Sequence, residues 1–426
     1  MNDNDRSIVG LVTVAHAMVH TYELSIPLLL PLWLAQFDRL DLLVTSVPVN
    51  AATLGLLVTV GFALFGLGSL PSGVLVDRVP ARVLITGCLT GMGASFLVLA
   101  VAPSAAFVGV ALALWGIAAS AYHPSGLSLI SRGVEDRGSA FAFHGMAGNV
   151  GTGVGPMTTI VLLLALSWRA AAAILAVPAL AAAVFAVRVD IDEHAAVAAD
   201  GGGQGDRAGT GVSSLGEFLA ASRALFAGAF VVVFAVVLFD GLFYRGVITF
   251  LPELLGAVPA LHAVDVAGRT FQASRYVYVG MLIVGIGGQY VGGRLTDRWR
   301  PETGLAVGFL ALAVVAVLFL PAAAGGLPGI LSVVALLGFF LFFIQPLYQA
   351  AVAEYTPADL RGLSYGFTYL GEFGLGAFGA VAAGTLLTYF AAEQLFVLLA
   401  GLGVCGAALA GYLVTRAPST AAEATQ

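Results

Sequence analysis

Apolar runs of about 20 residues recur along nearly the whole of the 426-residue chain, and each is long enough to cross the hydrocarbon core of a bilayer as a helix. In lipid every backbone polar group must be satisfied internally, which leaves helices or a closed β-barrel. The runs are continuous and rich in Ala, Leu and Gly rather than alternating over about ten residues, so the barrel is excluded. Only 10% of residues are charged and mean hydropathy is +0.98, against about 25% charged residues in a soluble domain. The sequence therefore predicts an all-α polytopic membrane protein.

Twelve spans are expected, near 8–36, 47–74, 83–102, 105–131, 138–165, 168–187, 223–254, 271–293, 303–321, 326–354, 362–389 and 394–415. Met1–Arg6 is short and acidic and lacks the basic region and cleavage site of a signal peptide, so the first span is expected to be retained. On this map thirteen arginines fall on one side, and Arg39, Arg169, Arg269 and Arg275 fall on the other. The positive-inside rule then places both termini in the cytoplasm of a cell-membrane protein. Cys88 and Cys405 stand alone in apolar segments, as packing residues do. All basic residues are Arg and net charge is −6, which argues against a nucleic-acid partner.

Between residues 189 and 222 the apolar pattern stops, and Asp200-Gly201-Gly202-Gly203-Gln204-Gly205-Asp206 reads as a flexible linker. This predicts a six-helix N-terminal bundle over 1–188, a cytoplasmic linker over 189–222 and a six-helix C-terminal bundle over 223–426. The halves repeat: Gly73-Val74-Leu75-Val76-Asp77-Arg78 is echoed 220 residues later by Gly293-Arg294-Leu295-Thr296-Asp297-Arg298. Pro124 with Arg137-Gly138 is likewise echoed by Pro346 with Arg361-Gly362. Two parallel repeats follow.

G-x-L-x-D-R after the second helix of each half resembles the signature of the major facilitator superfamily, and the resemblance covers the whole chain. Val79-Pro80-Ala81-Arg82 and Trp299-Arg300-Pro301 depart from the motif's usual continuation. Within that superfamily, Ala121-Tyr122-His123-Pro124-Ser125-Gly126, Gly145 to Pro156, His16 to His20 with Pro27 and Pro31, and Tyr244 to Pro252 are similar to the fosmidomycin-resistance-type exporters. The resemblance implies a monomeric secondary transporter of a small molecule, working by alternating access without a cofactor. It implies gating roles for Gly73, Asp77, Arg78, Gly293, Asp297, Arg298, Arg137 and Arg361, where Asp and Arg at helix ends brace one conformation. Plain positive-inside anchoring is the alternative for the same residues.

Ionisable groups at bilayer depth are costly unless they face a cavity or a partner, so each is a candidate site residue. His16, His20, Glu23 and Pro27 share one stripe of the first helix, where Glu23 could carry a proton and the histidines could relay protons, bind an anion or act as interhelical glue. Tyr122 and His123 in the fourth span, Asp240, Tyr244 and Arg245 in the seventh, and Gln345, Tyr348 and Gln349 in the tenth lie on the helices that line the substrate path in the superfamily. Asp240 and Tyr244 share a face, and Arg245 is rotated from Asp240 by about 140°. Arg245 suits a carboxylate, phosphate or phosphonate, or an ion pair with Glu372 or Glu23. His144, Gly148, Gly151 and Gly155 form a small-residue groove beside Asn149, and Gly151-x-x-x-Gly155-Pro156 resembles an antiporter motif of the superfamily.

Proton-coupled export of a small drug-like or anionic compound is the leading expectation. Import by proton symport needs the same groups. His16-x-x-x-His20 has metal-compatible spacing but lacks an H-E-x-x-H arrangement, so no catalysis and no resident metal are expected, and a metal transporter or a non-transporting sensor on the same fold are the lesser alternatives.

Overall fold

The computed structural model describes residues 1–42, 44–76, 78–196, 215–266, 269–357 and 360–416. Asp77 and the glycine-rich run 200–206 lie outside the described residues. Long helices dominate: α1 (Asp3–Gln36), α2 (Ala51–Leu75), α3 (Ala81–Ala100), α4 (Ala105–Ala119), α5 (Tyr122–Gly133), α6 (Arg137–Leu163) and α7 (Trp168–Arg188). They continue as α8 (Leu215–Ala227), α9 (Phe230–Ile248), α10 (Leu251–Gly256), α11 (Ala273–Leu295), α12 (Pro301–Ala324), α13 (Leu327–Glu354), α14 (Arg361–Tyr369), α15 (Phe378–Tyr389) and α16 (Ala392–Arg416).

Among the described residues eleven helical segments are long and apolar enough to cross a membrane, α4–α5, α9–α10 and the Arg361–Tyr389 stretch each counting as one. The twelfth expected span is α6, 27 residues long, whose His144, Asn149 and repeated glycines lower its hydropathy without shortening it. Many large aliphatic side chains point outward, among them Leu67, Ile117, Val177, Val317 and Val397, as a lipid-facing surface requires.

Two differences from the expected spans have local causes. The segment before α2 forms a hairpin, Arg39–Asp41 (β1) antiparallel to Ser46–Pro48 (β2), in which Arg39 donates to the Oγ and carbonyl of Ser46. The second span therefore starts at Ala51 rather than 47. Leu215–Ala227 is helical across the expected linker boundary at 222.

The chain divides into two compact units, Met1–Ile26 with Val60–Phe218, and Pro27–Thr59 with Leu219–Gln426. Pro27–Thr59 joins the second unit because the start of α2 lies against α15. Thr388 Oγ1 accepts from the Ala52 amide at 2.9 Å, Thr59 Oγ1 donates to the Ala377 carbonyl at 2.9 Å, and a Cβ at Gly55 would press on Ala380 O. In the first unit α3 packs along α7 and α4, and Gly116 meets the Gly61 backbone of α2 with no room for a Cβ. In the second unit Gly288 and Gly292 of α11 let α13 approach through Phe339 and Phe343.

Candidate functional site

In the first unit the decisive local feature is a break between α4 and α5. Pro124 has no N–H to offer Ser120 four residues earlier. The Ser120 carbonyl accepts instead from Ser69 Oγ at 3.4 Å, and the chain re-enters a helix at Tyr122. The Tyr122 hydroxyl donates to the Val12 carbonyl at 2.5 Å, which fixes the first turn of α5 against α1.

That fixation brings four histidines together. The His16 ring centroid is 4.8 Å from that of His20, 5.3 Å from His123 and 3.9 Å from His144, on which it stacks. His16 Nδ1 lies 2.7 Å from the His144 backbone carbonyl, His20 Nδ1 lies 2.9 Å from Glu23 Oε2, and the two Nε2 atoms are 3.1 Å apart. Glu23 is buried and His20 is partly exposed. The expected stripe on α1 is therefore a physical cluster, joined by His123 and by the His144 of α6. The expected glycine groove receives α1: a Cβ at Gly148 would strike the His16 ring, one at Gly151 the Ala17 backbone, and one at Gly155 the Thr21 backbone. Asn149 lies beside that groove, half-buried.

In the second unit Asp240 and Arg245 lie on α9, and Glu372 lies on a π turn, Leu370–Leu375, that interrupts the eleventh span. The Gly376 amide reaches back to the Gly371 carbonyl at 2.8 Å, closing the wide turn and placing Glu372 on it. Such turns recur at functional sites. A Cβ at Gly241 would collide with the backbone of Glu372, so α9 and the π turn cross in direct contact. Asp240, Arg245 and Glu372 are 0%, 1% and 3% exposed, which leaves no bulk water to solvate three ionisable groups.

The Arg245 guanidinium lies over the rings of Tyr244 and Phe373, at 4.9 and 5.4 Å from their centroids. Neither carboxyl oxygen of Asp240 has a hydrogen-bond partner among the described residues. Tyr348 on α13 is buried within electrostatic reach of Glu372 and Asp240. Gln345 is half-buried and Gln349 is exposed.

The profile of the Major Facilitator Superfamily matches residues 10–380. The chain belongs to that superfamily. A bacterial homolog of the human lysosomal transporter Spinster, in an inward-facing and unoccupied conformation, superposes with a TM-score of 0.63 at 15% identity, over 97% of this chain and 95% of that one. A Glu-to-Gln mutant of the peptide transporter POT in complex with alafosfalin superposes with a TM-score of 0.71 at 14% identity, over 96% and 94%. At these identities the likeness is one of fold. No curated protein matches in sequence. The chain is a multi-pass membrane protein and a secondary transporter rather than an enzyme.

Of the residues for which the resemblance implied gating, Arg78, Asp297, Arg298 and Arg361 are exposed at helix ends, while Arg137, Gly73 and Gly293 are half-buried. Three polar residues that the sequence did not single out hold the end of the first unit. Pro80 has no side chain to cap α3, and Glu193 caps it from a distance, accepting from the Ala81 and Arg82 amides at 2.7 and 2.9 Å. Asp5 accepts from the amides of Glu135 and Asp136, and Asn4 bonds the Gly133 and Asp192 carbonyls. Nothing in linear spacing links these partners, which are more than 100 residues apart.

Proposed function

We propose that the transporter couples protons to the movement of a small anionic or amphipathic drug-like compound, in the export direction, by alternating access. The observation that carries this reading is the burial of Asp240, Arg245 and Glu372 at the crossing of α9 with the π turn. A carboxyl without hydrogen-bond partners at bilayer depth needs either a cation or a proton, and a binding cycle that changes its surroundings changes which it holds. Asp240 is that carrier. Arg245 stays charged throughout and offers a planar fork to a carboxylate, phosphate or phosphonate, with Tyr244 and Phe373 supplying the apolar part of a drug-like surface.

Export is favoured by the fosmidomycin-type segments around His16–Pro31, Ala121–Gly126 and Tyr244–Pro252, together with Gly151-x-x-x-Gly155-Pro156. Proton-coupled import of an organic anion uses the same residues and is the second reading. We place the protein in the cytoplasmic membrane with both termini inside, on the arginine distribution. A thermal-shift screen of phosphonates, organic acids and hydrophobic antibiotics, followed by internal-pH recording in proteoliposomes, tests the reading. A ligand-driven pH change of either sign supports coupling, its sign separates export from import, and binding with neither flux nor pH change rejects it.

A further inference from the structure

We propose that His16, His20 and His123 form a binding site for a borderline divalent d-block cation such as Zn²⁺. One ring nitrogen of each lies within 4.8 Å of the others, across the first turn of α5 and adjacent turns of α1. The hydrogen bonds fix which nitrogens are available. A carbonyl oxygen only accepts, so His16 Nδ1, 2.7 Å from His144 O, carries its proton. His20 Nδ1 donates in the same way to the Glu23 carboxylate at 2.9 Å. In the neutral rings both Nε2 atoms are therefore bare, and they face each other at 3.1 Å.

Two lone pairs in that position need a cation between them. A tetrahedral Zn²⁺ with nitrogen ligands at about 2.0–2.1 Å sets neighbouring nitrogens about 3.3–3.4 Å apart, close to the separation already present. His123 supplies a third imidazole, and the partly exposed His20 leaves a route of entry and an open fourth position. The outer contacts have the form that metal-binding histidines require, one N–H on a carboxylate and one on a backbone carbonyl, which orient the rings and raise their basicity. Ring contacts of His16 with His144 at 3.9 Å and with Tyr122 at 5.5 Å hold the first ring in place. Imidazole donors of this kind suit Zn²⁺, Co²⁺, Ni²⁺ or Cu²⁺ and are poor for Mg²⁺ or Ca²⁺. The site stands whichever substrate the transporter carries.

The test uses the full-length purified protein in detergent or nanodiscs. Zn²⁺ titrated against a chromophoric chelator is expected to bind one ion per chain, and Co²⁺ to give the intense visible spectrum of a tetrahedral nitrogen site. His16→Ala, His20→Ala and His123→Ala should each abolish that spectrum. Glu23→Gln, which keeps the fold's shape, should weaken Zn²⁺ by about 10- to 100-fold. The double variant His194→Ala/His262→Ala, which removes the two histidines outside the four-histidine cluster, should bind as wild type. No saturable Zn²⁺ binding by about 1 mM, loss of binding in the His194/His262 variant, or an unchanged Co²⁺ spectrum in His123→Ala would each overturn the proposal. A proton shared between His16 and His20 with no metal binding is the first of those outcomes.

Discussion

A Cβ atom at Gly151 would overlap the carbonyl oxygen of Ala17, so α1 and α6 touch backbone to backbone at their crossing. Gly155 makes the same approach to the Thr21 backbone one turn on, and Gly148, one turn before, meets the His16 ring. This crossing sets the distance from His144 to His16.

Gly151→Val is expected to force the two helices apart and destabilise the protein by about 1–3 kcal/mol or more. Gly145 lies on the same helix with nothing within 4 Å of a built Cβ, so Gly145→Ala should be neutral or stabilise by up to about 1 kcal/mol. Thermal unfolding of the two variants in detergent checks the contrast; equal midpoints would refute it.

Glu193→Ala should fray the start of α3, since the carboxylate is what caps the Ala81 and Arg82 amides. A lost helix cap costs about 0.5–2 kcal/mol. Hydrogen exchange should accelerate over residues 80–84 while the middle of α3 stays protected.

Tyr355 donates to the fully buried Glu302 at 3.0 Å, and Arg300 pairs with the same carboxylate. Burial of the hydroxyl, with the charge of Glu302 beside it, pushes the Tyr355 pKa up to about 12. A group raised on folding stabilises fully below its unfolded pKa of about 10 and loses that contribution as pH rises through the folded value. The melting temperature of the wild type should therefore fall between about pH 10 and pH 12 more steeply than that of Tyr355→Phe. The variant should be less stable at neutral pH by about 1.5–3 kcal/mol, for a lost hydrogen bond to a charged group. Parallel slopes for the two proteins would remove Tyr355 from this role.

Arg245→Lys keeps the charge and loses the planar fork. Anion binding by the ligands found in the thermal-shift screen should weaken at least about tenfold, roughly 1.4 kcal/mol. Wild-type affinity for every anion would exclude Arg245 as the contact.

Hydropathy made the twelve spans legible, because a bilayer demands long apolar runs whatever the residues pack against. The cost of ionisable groups in lipid likewise pointed to His16, His20, Glu23, Asp240, Arg245 and Glu372, all of which lie at buried or partly buried positions. Their company was not legible. The His144 contact runs through a backbone carbonyl, and backbone carbonyls carry no sequence signal. The π turn beneath Glu372 depends on Gly376 reaching Gly371, one residue beyond the α-helical spacing that periodicity assumes. Glu193 sits just before the run 197–214, outside any helix pattern, and its role appears only when α3 is brought to it. α8 could have been found: Phe218, Leu219, Leu225 and Phe226 keep helical spacing across the expected linker boundary at 222.

Substrate counterflow in proteoliposomes, run with and without a pH gradient on wild type and Asp240→Asn, tests proton-coupled alternating access most directly. The account predicts that both proteins exchange labelled for unlabelled substrate, that wild type concentrates substrate against its gradient when a pH gradient is imposed, and that Asp240→Asn does not. Gradient-driven accumulation by Asp240→Asn at the wild-type level, or a wild type that binds substrate yet shows no counterflow, would contradict it.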